Sequence, residues 1–523
     1  MASPLPLIQL DAPGPRWVKV LDQDRCIGCH ACTTACKSEN EVPLGVTRTY
    51  VKAVEVGTFP QVRRDFQVTR CNQCSDAPCV AACPTSAMFT RHDGIVDFNK
   101  DSCIGCKACI AACPYDAIFI NPEDHSAEKC NFCAQRIDVG LEPACVVVCP
   151  AEAILVGDLN DPTSAVAQII NREPVQVRRP EKETRPGVFY KGAHVATLDP
   201  LAARAPEGPV YMWSEKERGP LIVESGHPNH ANSSAAALLA YDVTHRAPWD
   251  WRVSLYTWTK GIAAGAYIVP LLLLIAGVIG GEGPLWQWAA PVLAGGFLGL
   301  TGLVLLADLE HPERFIYIFT RPQWRSWLVR GAVVITGYGA VLALHFSLSV
   351  LGGLGGGGGS PTPQAIVAIA GLPLAVTTAV YTAYLFAQAK ARDLWQNPLL
   401  PPHLAVQAVL AGSAVLIPVA MAVEPAAVAA LAVLLAATCG THLLMVAGEV
   451  TLGHPTAHAH LATWHMTHGR FRQWFWLGVA LVAVGLVAPI LPPLAPVAAA
   501  AALAGLLAHE HAYVQAGQSV PLA

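Results

Sequence analysis

Sixteen of the seventeen cysteines lie between Cys26 and Cys149, in four groups of four. Cys26, Cys29, Cys32 and Cys36 follow C-x2-C-x2-C-x3-C, and Cys103, Cys106, Cys109 and Cys113 repeat that spacing, closed by Pro114. Cys71, Cys74, Cys79 and Cys83 open the second gap to four residues before Pro84, and Cys130, Cys133, Cys145 and Cys149 open it to eleven before Pro150. In such runs three thiolates curl around one face of an iron–sulfur cube, while the fourth leaves on a helix toward a second cube. Sixteen thiolates satisfy four cubes, with none left over. Zinc also takes C-x2-C pairs, but a zinc ribbon needs neither three cysteines spaced by two nor a fourth at x3 before a proline. Disulfides rank last: the N-terminal MASPLPLIQLDAPGPRW lacks the basic segment and unbroken apolar run of a leader, so a reducing compartment is expected. CIGCH at 26–30 formally spells a haem-attachment signature, yet Cys32 and Cys36 continue the ferredoxin spacing and the match reads as accidental. Cys439, among Ala and Leu, reads as an inert buried thiol.

Charge divides the chain as the cysteines do. Of 72 charged residues (34 basic plus 38 acidic), 17 occur from Tyr256 onward and 55 before it, so two different solvents are implied. Eight apolar runs long enough to cross about 30 Å of hydrocarbon follow, at roughly 256–280, 284–307, 328–351, 365–389, 404–423, 425–447, 474–492 and 495–515. Lipid cannot satisfy free backbone groups, so each is read as a helix that tolerates its Gly261, Gly265 or Pro270. The expected fold is an α+β, bacterial-ferredoxin-like domain over 1–160, an extended arm over 161–250, and an all-α membrane domain of eight helices over 251–523, with GGLGGGGGSPTP (352–363) as a flexible loop. Lys260, Arg314, Arg321, Arg325, Arg330, Lys390, Arg392, Arg470 and Arg472 all fall on the side of the termini, and the opposite loops carry no Lys or Arg. The positive-inside rule then puts the cysteine domain on the cytoplasmic side of the cell's inner membrane. A formal net charge of -4 excludes a nucleic-acid binder relying on overall basicity.

With these cysteine runs, residues 15 to about 160 resemble the four-cluster iron–sulfur subunits of the molybdopterin oxidoreductases that include dimethyl sulfoxide reductase, polysulfide reductase and respiratory formate dehydrogenase. The resemblance implies four 4Fe-4S clusters with crossed ligands: Cys26, Cys29 and Cys32 with Cys149; Cys130, Cys133 and Cys145 with Cys36; Cys71, Cys74 and Cys79 with Cys113; Cys103, Cys106 and Cys109 with Cys83. TWTKGIAAGAYIV, DLEHPERFIYIFTRPQWRSWLVRG and HEHAYVQAGQSVPL resemble the NrfD-type anchor of the same complexes, with His311 where Arg is frequent. Here the two parts, usually separate chains, are fused.

The resemblance implies an electron-transfer and anchor subunit that links a separate molybdopterin-containing catalytic chain to membrane quinone, menaquinone or ubiquinone. Ionisable groups at membrane depth mark function, so Lys260, Asp308, His311, Arg314, His442 and Glu449 are the candidate quinone-pocket residues. His442 and Glu449, seven apart, share a helix face; His509, Glu510 and His511 are expected, with Lys260, at the membrane surface where Asp308, His311 and Arg314 close the second helix. Interfacial arginine also serves topology and docking, the plainer role for Arg314. Two alternatives remain open: a proton-translocating module of a larger respiratory complex, and a membrane-tethered ferredoxin without quinone chemistry.

Overall fold

The computed structural model describes residues 14–58, 60–204, 237–354 and 361–523. The stretch read for a leader lies outside the described residues through residue 13, as do 205–236 of the arm and 355–360 of the glycine-rich insert.

Short runs rich in β-branched residues form the strands. β1 (Trp17–Asp22) is followed by the hairpin β2 (Thr49–Thr58) and β3 (Gln61–Arg70), then by two short hairpins, β4 (Met88–Thr90) with β5 (Val96–Phe98) and β6 (Ile118–Ile120) with β7 (Ala127–Lys129), and by β8 (Ile154–Asp158). Between them lie α1 (Ala31–Glu39), α2 (Pro78–Ala82), α3 (Ala108–Ala112), α4 (Ala134–Ile137) and α5 (Ala144–Val147). The arm is folded into this domain where it is described, as α6 (Ala165–Arg172), β9 (Val175–Gln176), β10 (Val188–Lys191), α7 (Val195–Leu198) and β11 (Ala237–Tyr241). β10 joins β1 in parallel (Lys19↔Val188) and β11 joins β2 antiparallel (Ala237↔Val56). The sheets run β8-β1-β10-β9 and β11-β2-β3. The arm's apolar residues are too few to carry a period alone; distant strands complete their burial, as Val188 and Tyr190 show at 0% exposure.

The membrane domain comprises α8 (Trp251–Ile275), α9 (Ala290–Asp308), the short α10 (Tyr317–Thr320), α11 (Trp327–Leu354), α12 (Pro361–Gln388), α13 (Leu400–Val423), α14 (Val428–Thr451), α15 (Ala457–Thr467), α16 (Arg472–Val484) and α17 (Ala495–Gly517). α8 is central, with 72% of its span buried, whereas α11 is peripheral at 22%. A Cβ on Gly265 would overlap the Ala408 carbonyl, and one on Gly412 would overlap Gly265, so the glycines set the closest approach of α8 and α13. The insert is shorter than expected, since α11 continues to Leu354 and α12 begins at Pro361.

Among the described residues, seven helices are long and apolar enough to span a membrane. The expected span 474–492 differs: α16 has 13 residues, about 20 Å at 1.5 Å each, and meets α15 at a bend of 70°. The chain enters the bundle at Trp251, and after α17 Gln518 Oε1 accepts from the Trp249 amide at 3.1 Å. Entry and exit share a side, so the crossings are even in number and the bent pair supplies the eighth.

That side carries the cysteine domain. Residues 100–107 sit on the segment between α9 and α11: Arg314 donates to the carbonyls of Lys100 and Cys103 at 2.9 and 3.1 Å, and Lys107 pairs with Glu310 at 3.0 Å. Trp249 Nε1 donates to Cys106 O at 3.2 Å. On the far flank Lys52 Nζ donates to Ala523 O at 3.0 Å, and Lys182 pairs with Asp393.

Candidate functional site

All four C-x2-C turns share one backbone device. The residue before the second cysteine, Gly28, Gln73, Gly105 or Phe132, lies at φ 69°, 47°, 69° or 65°. This left-handed residue reverses the chain tightly enough to bring both thiols of the pair together. At 105 glycine is required twice, since a Cβ there would also overlap the Glu310 side chain.

The quartets assemble across the sequence. Cys149 stands beside Cys26 and Cys32, and Cys36 beside Cys130, Cys133 and Cys145. Cys113 neighbours Cys71, Cys74 and Cys79, and Cys83 neighbours Cys103, Cys106 and Cys109. Charge contacts of Cys32 with Cys145, Cys71 with Cys130, and Cys79 with Cys109 link them into a line. At its outer end Cys29 is exposed and Cys26 and Cys149 are half-buried; at its inner end Cys106 touches the membrane domain.

The quartets suit a cluster better than one ion. Sulfurs around a tetrahedral zinc stand about 3.8 Å apart, yet among the described residues no three cysteine sulfurs gather within 4.8 Å of one another. Two quartets, one with Cys26 and one with Cys106, wall cavities of their own. Backbone amides of Met88, Ala127 and Ala153 donate to the sulfurs of Cys83, Cys103 and Cys149 at 3.3–3.4 Å. Burial pushes Cys32 up to about 11 and Cys36 to about 12. Cys145 is held at about 7 despite burial, because Arg70 and Lys19 face it. Arg70 keeps Nε and Nη2 buried without a partner, as a guanidinium aimed at an anionic group would.

The six pocket candidates separate into two sets. His311 and Arg314 are engaged in docking: His311 Nε2 meets Asp124 O at 2.9 Å and its Nδ1 meets Glu313 at 3.0 Å. Asp308 lies where docking and membrane meet, 3.6 Å from Lys107 Nζ, with Oδ1 otherwise unpartnered. Lys260 is buried in α8 and donates to Ala379 O and Thr382 Oγ1 at 2.9 and 2.6 Å, with Glu510 as its nearest opposite charge. Glu449 accepts from Asn397 at 3.2 Å. His442 meets His403 at 2.9 Å. Glu510 and His509, toward the cysteine-domain end of α17, are buried at 5% and 2% exposure.

Sequence reasoning missed Tyr256 and His403. The buried Tyr256 hydroxyl makes no close hydrogen bond, has Thr382 as a side-chain neighbour, and lies within charge reach of Asp308 and Glu510. His403 was legible by the same membrane-depth rule as His442, but the expected span began one residue after it, whereas α13 begins at Leu400.

Comparison with known proteins agrees with this architecture. Residues 241–521 match the family model for polysulphide reductase, NrfD, residues 62–159 a 4Fe-4S dicluster domain, and residues 17–38 a 4Fe-4S binding domain. A tetrathionate reductase subunit of Salmonella typhimurium is 42% identical over 208 residues, covering 39% of this chain and 82% of that protein. A polysulfide reductase polypeptide of Wolinella succinogenes is 42% identical over 171 residues, covering 32% and 90%. The arsenate respiratory reductase iron-sulfur subunit ArrB of a Shewanella species is 38% identical over 220 residues, covering 33% and 94%. The chain therefore belongs to the polysulphide reductase NrfD family and joins on one polypeptide an electron-transfer 4Fe-4S domain and its multi-span membrane anchor.

Proposed function

We propose that this chain relays electrons between a separate molybdopterin-containing catalytic subunit and membrane quinone, menaquinone or ubiquinone, with four 4Fe-4S clusters held by the four crossed quartets. When bound, such clusters supply the one-electron steps that connect a substrate reaction to a quinone. The observation that carries the reading is the inner end of the line. There the Cys106 loop is clamped beside two buried polar atoms that make no close hydrogen bond, Tyr256 Oη and Asp308 Oδ1, the latter 3.6 Å from Lys107 Nζ. A ring bearing carbonyl oxygens fits them. The Tyr256 hydroxyl donates to a quinone carbonyl; Asp308, Glu510 and Glu449 hold or release the protons that quinone chemistry exchanges. Lys260 braces α8 against α12 through Ala379 and Thr382, His442 lines the far wall, and His311 and Arg314 hold the cluster loop against the pocket and exclude water.

At the outer end, exposed Ile27, Val147 and Val148 around Cys29 support a docking face for the catalytic chain. The related proteins are named as parts of reductases, which supports the same reading. Lysine and arginine confined to the cysteine-domain side support its placement in the cytoplasm, at the inner membrane.

The test is quinol-driven reduction of the clusters in the purified chain, followed by visible bleaching. Asp308→Asn and Tyr256→Phe slow it by roughly tenfold or more with iron content unchanged. Unchanged rates in both point to a tethered ferredoxin instead. A second reading, proton translocation, draws on buried groups in the far half, where His345 Nδ1 meets the Tyr267 hydroxyl at 3.2 Å and Gln364 meets Ser349 at 3.3 Å. Quinol-driven external acidification by proteoliposomes of the whole complex, lost in His345→Phe, would establish it.

A further inference from the structure

Two consecutive helices and a third farther along the chain bring three imidazoles together inside the bundle. The ligating nitrogens of His403 on α13, His442 on α14 and His509 on α17 lie within 4.8 Å of one another, and all three residues are buried. His403 Nε2 and His442 Nδ1 are 2.9 Å apart, and the His509 ring meets that of His442 edge-on with centroids 4.8 Å apart.

Hydrogen bonding alone leaves this group unsatisfied. Two neutral imidazoles facing each other share one proton, which settles one pair of nitrogens. His509 Nδ1 is buried with no partner, a desolvated polar atom left uncompensated. Gln407, one turn beyond His403 on the same face of α13, also keeps its Oε1 buried and unpartnered.

We propose that His403, His442 and His509 bind a divalent zinc ion, with the fourth position open to the Gln407 side-chain oxygen or to water. Neutral imidazole is the ligating form of histidine, and a shell of nitrogens without several carboxylates suits zinc and its first-row neighbours rather than magnesium or calcium. Glu449, two turns from His442 on the same face of α14, supplies compensating charge; its hydrogen-bond partner, Asn397, is neutral. The wall behind His509 is fixed, because a Cβ on Gly478 would press the His509 amide nitrogen at 2.9 Å, so α16 lies flush against α17. The ion ties α13, α14 and α17 together beside the pocket. This assignment shares His442 with the quinone reading but does not rest on it, since metal content is measured without quinol.

The experiment uses the full chain, purified without air and loaded with iron, then washed with chelator and offered zinc(II) or cobalt(II) alone. The wild-type chain retains one zinc beyond its iron, and the cobalt form shows d–d absorption of a tetrahedral site without thiolate charge transfer. In His403→Ala and His509→Ala the zinc falls to the buffer blank while iron and cluster absorbance stay unchanged. Where a variant does not insert, His442→Gln and the cobalt spectrum of the wild type decide. Wild-type protein with no more zinc than the blank, zinc retained equally by every variant, or a cobalt spectrum carrying thiolate charge transfer overturns the proposal.

Discussion

Arg70 Nη1 donates to Cys145 Sγ at 3.1 Å, and Lys19 Nζ stands 3.8 Å from the same sulfur. Both cations are at most 2% exposed. Buried positive charge favours the more negative, reduced state of whatever Cys145 ligates, so the two cations raise the potential of this quartet. Arg70→Gln shifts that midpoint by on the order of 100 mV to more negative values, and Arg70→Lys shifts it less. Redox titration followed by electron paramagnetic resonance reads the change; four unmoved midpoints would refute the role.

Crossed ligation makes an unusual pattern of loss. Cys36→Ser and Cys145→Ser erase the same paramagnetic signal, although the residues are far apart in sequence. Cys26→Ser and Cys36→Ser erase different signals, although both belong to one run. Signals lost run by run would show that each sequence group holds its own cluster.

Arg314 spans the joint through the carbonyls of Lys100 and Cys103. Arg314→Ala weakens the docked state by about 2 kcal/mol. Amide exchange across residues 100–107 then accelerates and quinol-driven reduction slows, with iron content intact. Unaltered exchange there would mean that the contact does not hold the loop.

His245 bridges Asp116 at 2.5 Å and Asp242 at 3.2 Å. Burial alone would lower its pKa, but the two carboxylates outweigh burial and raise it to about 10 from 6.5. A group with a raised folded-state pKa stabilises fully below its unfolded value and loses that contribution as pH climbs through the folded one. Wild-type resistance to denaturant therefore declines between pH 6.5 and about 10, and His245→Gln removes that part of the slope. Cluster absorbance against denaturant at several pH values measures it; parallel curves for both proteins would exclude the clasp.

What could be read from sequence was whatever depends on local spacing or hydropathy. The runs from Cys26 and Cys103 announce thiolate turns because four residues suffice to define them, and α8 announces itself because 25 residues lack charge except Arg252 and Lys260. The partnership of Cys149 with Cys26 joins residues 123 positions apart, and only a family resemblance suggested it. β10 escaped notice because its neighbour in the sheet is β1, more than 160 residues earlier. The pairing of α15 with α16 was missed because residues 457–467 lay outside the expected span 474–492. His403 was lost to an error of a few residues in where α13 starts.

β11 is hydrogen-bonded to β2, and only a few residues later Trp249 leads directly into α8. A joint whose halves share a backbone sees its partner at an effective concentration that separate subunits do not reach. It reseats after each opening without a search through the cell, so a modest contact area suffices. The last stage of the relay is thereby committed to a single membrane partner from the moment of synthesis.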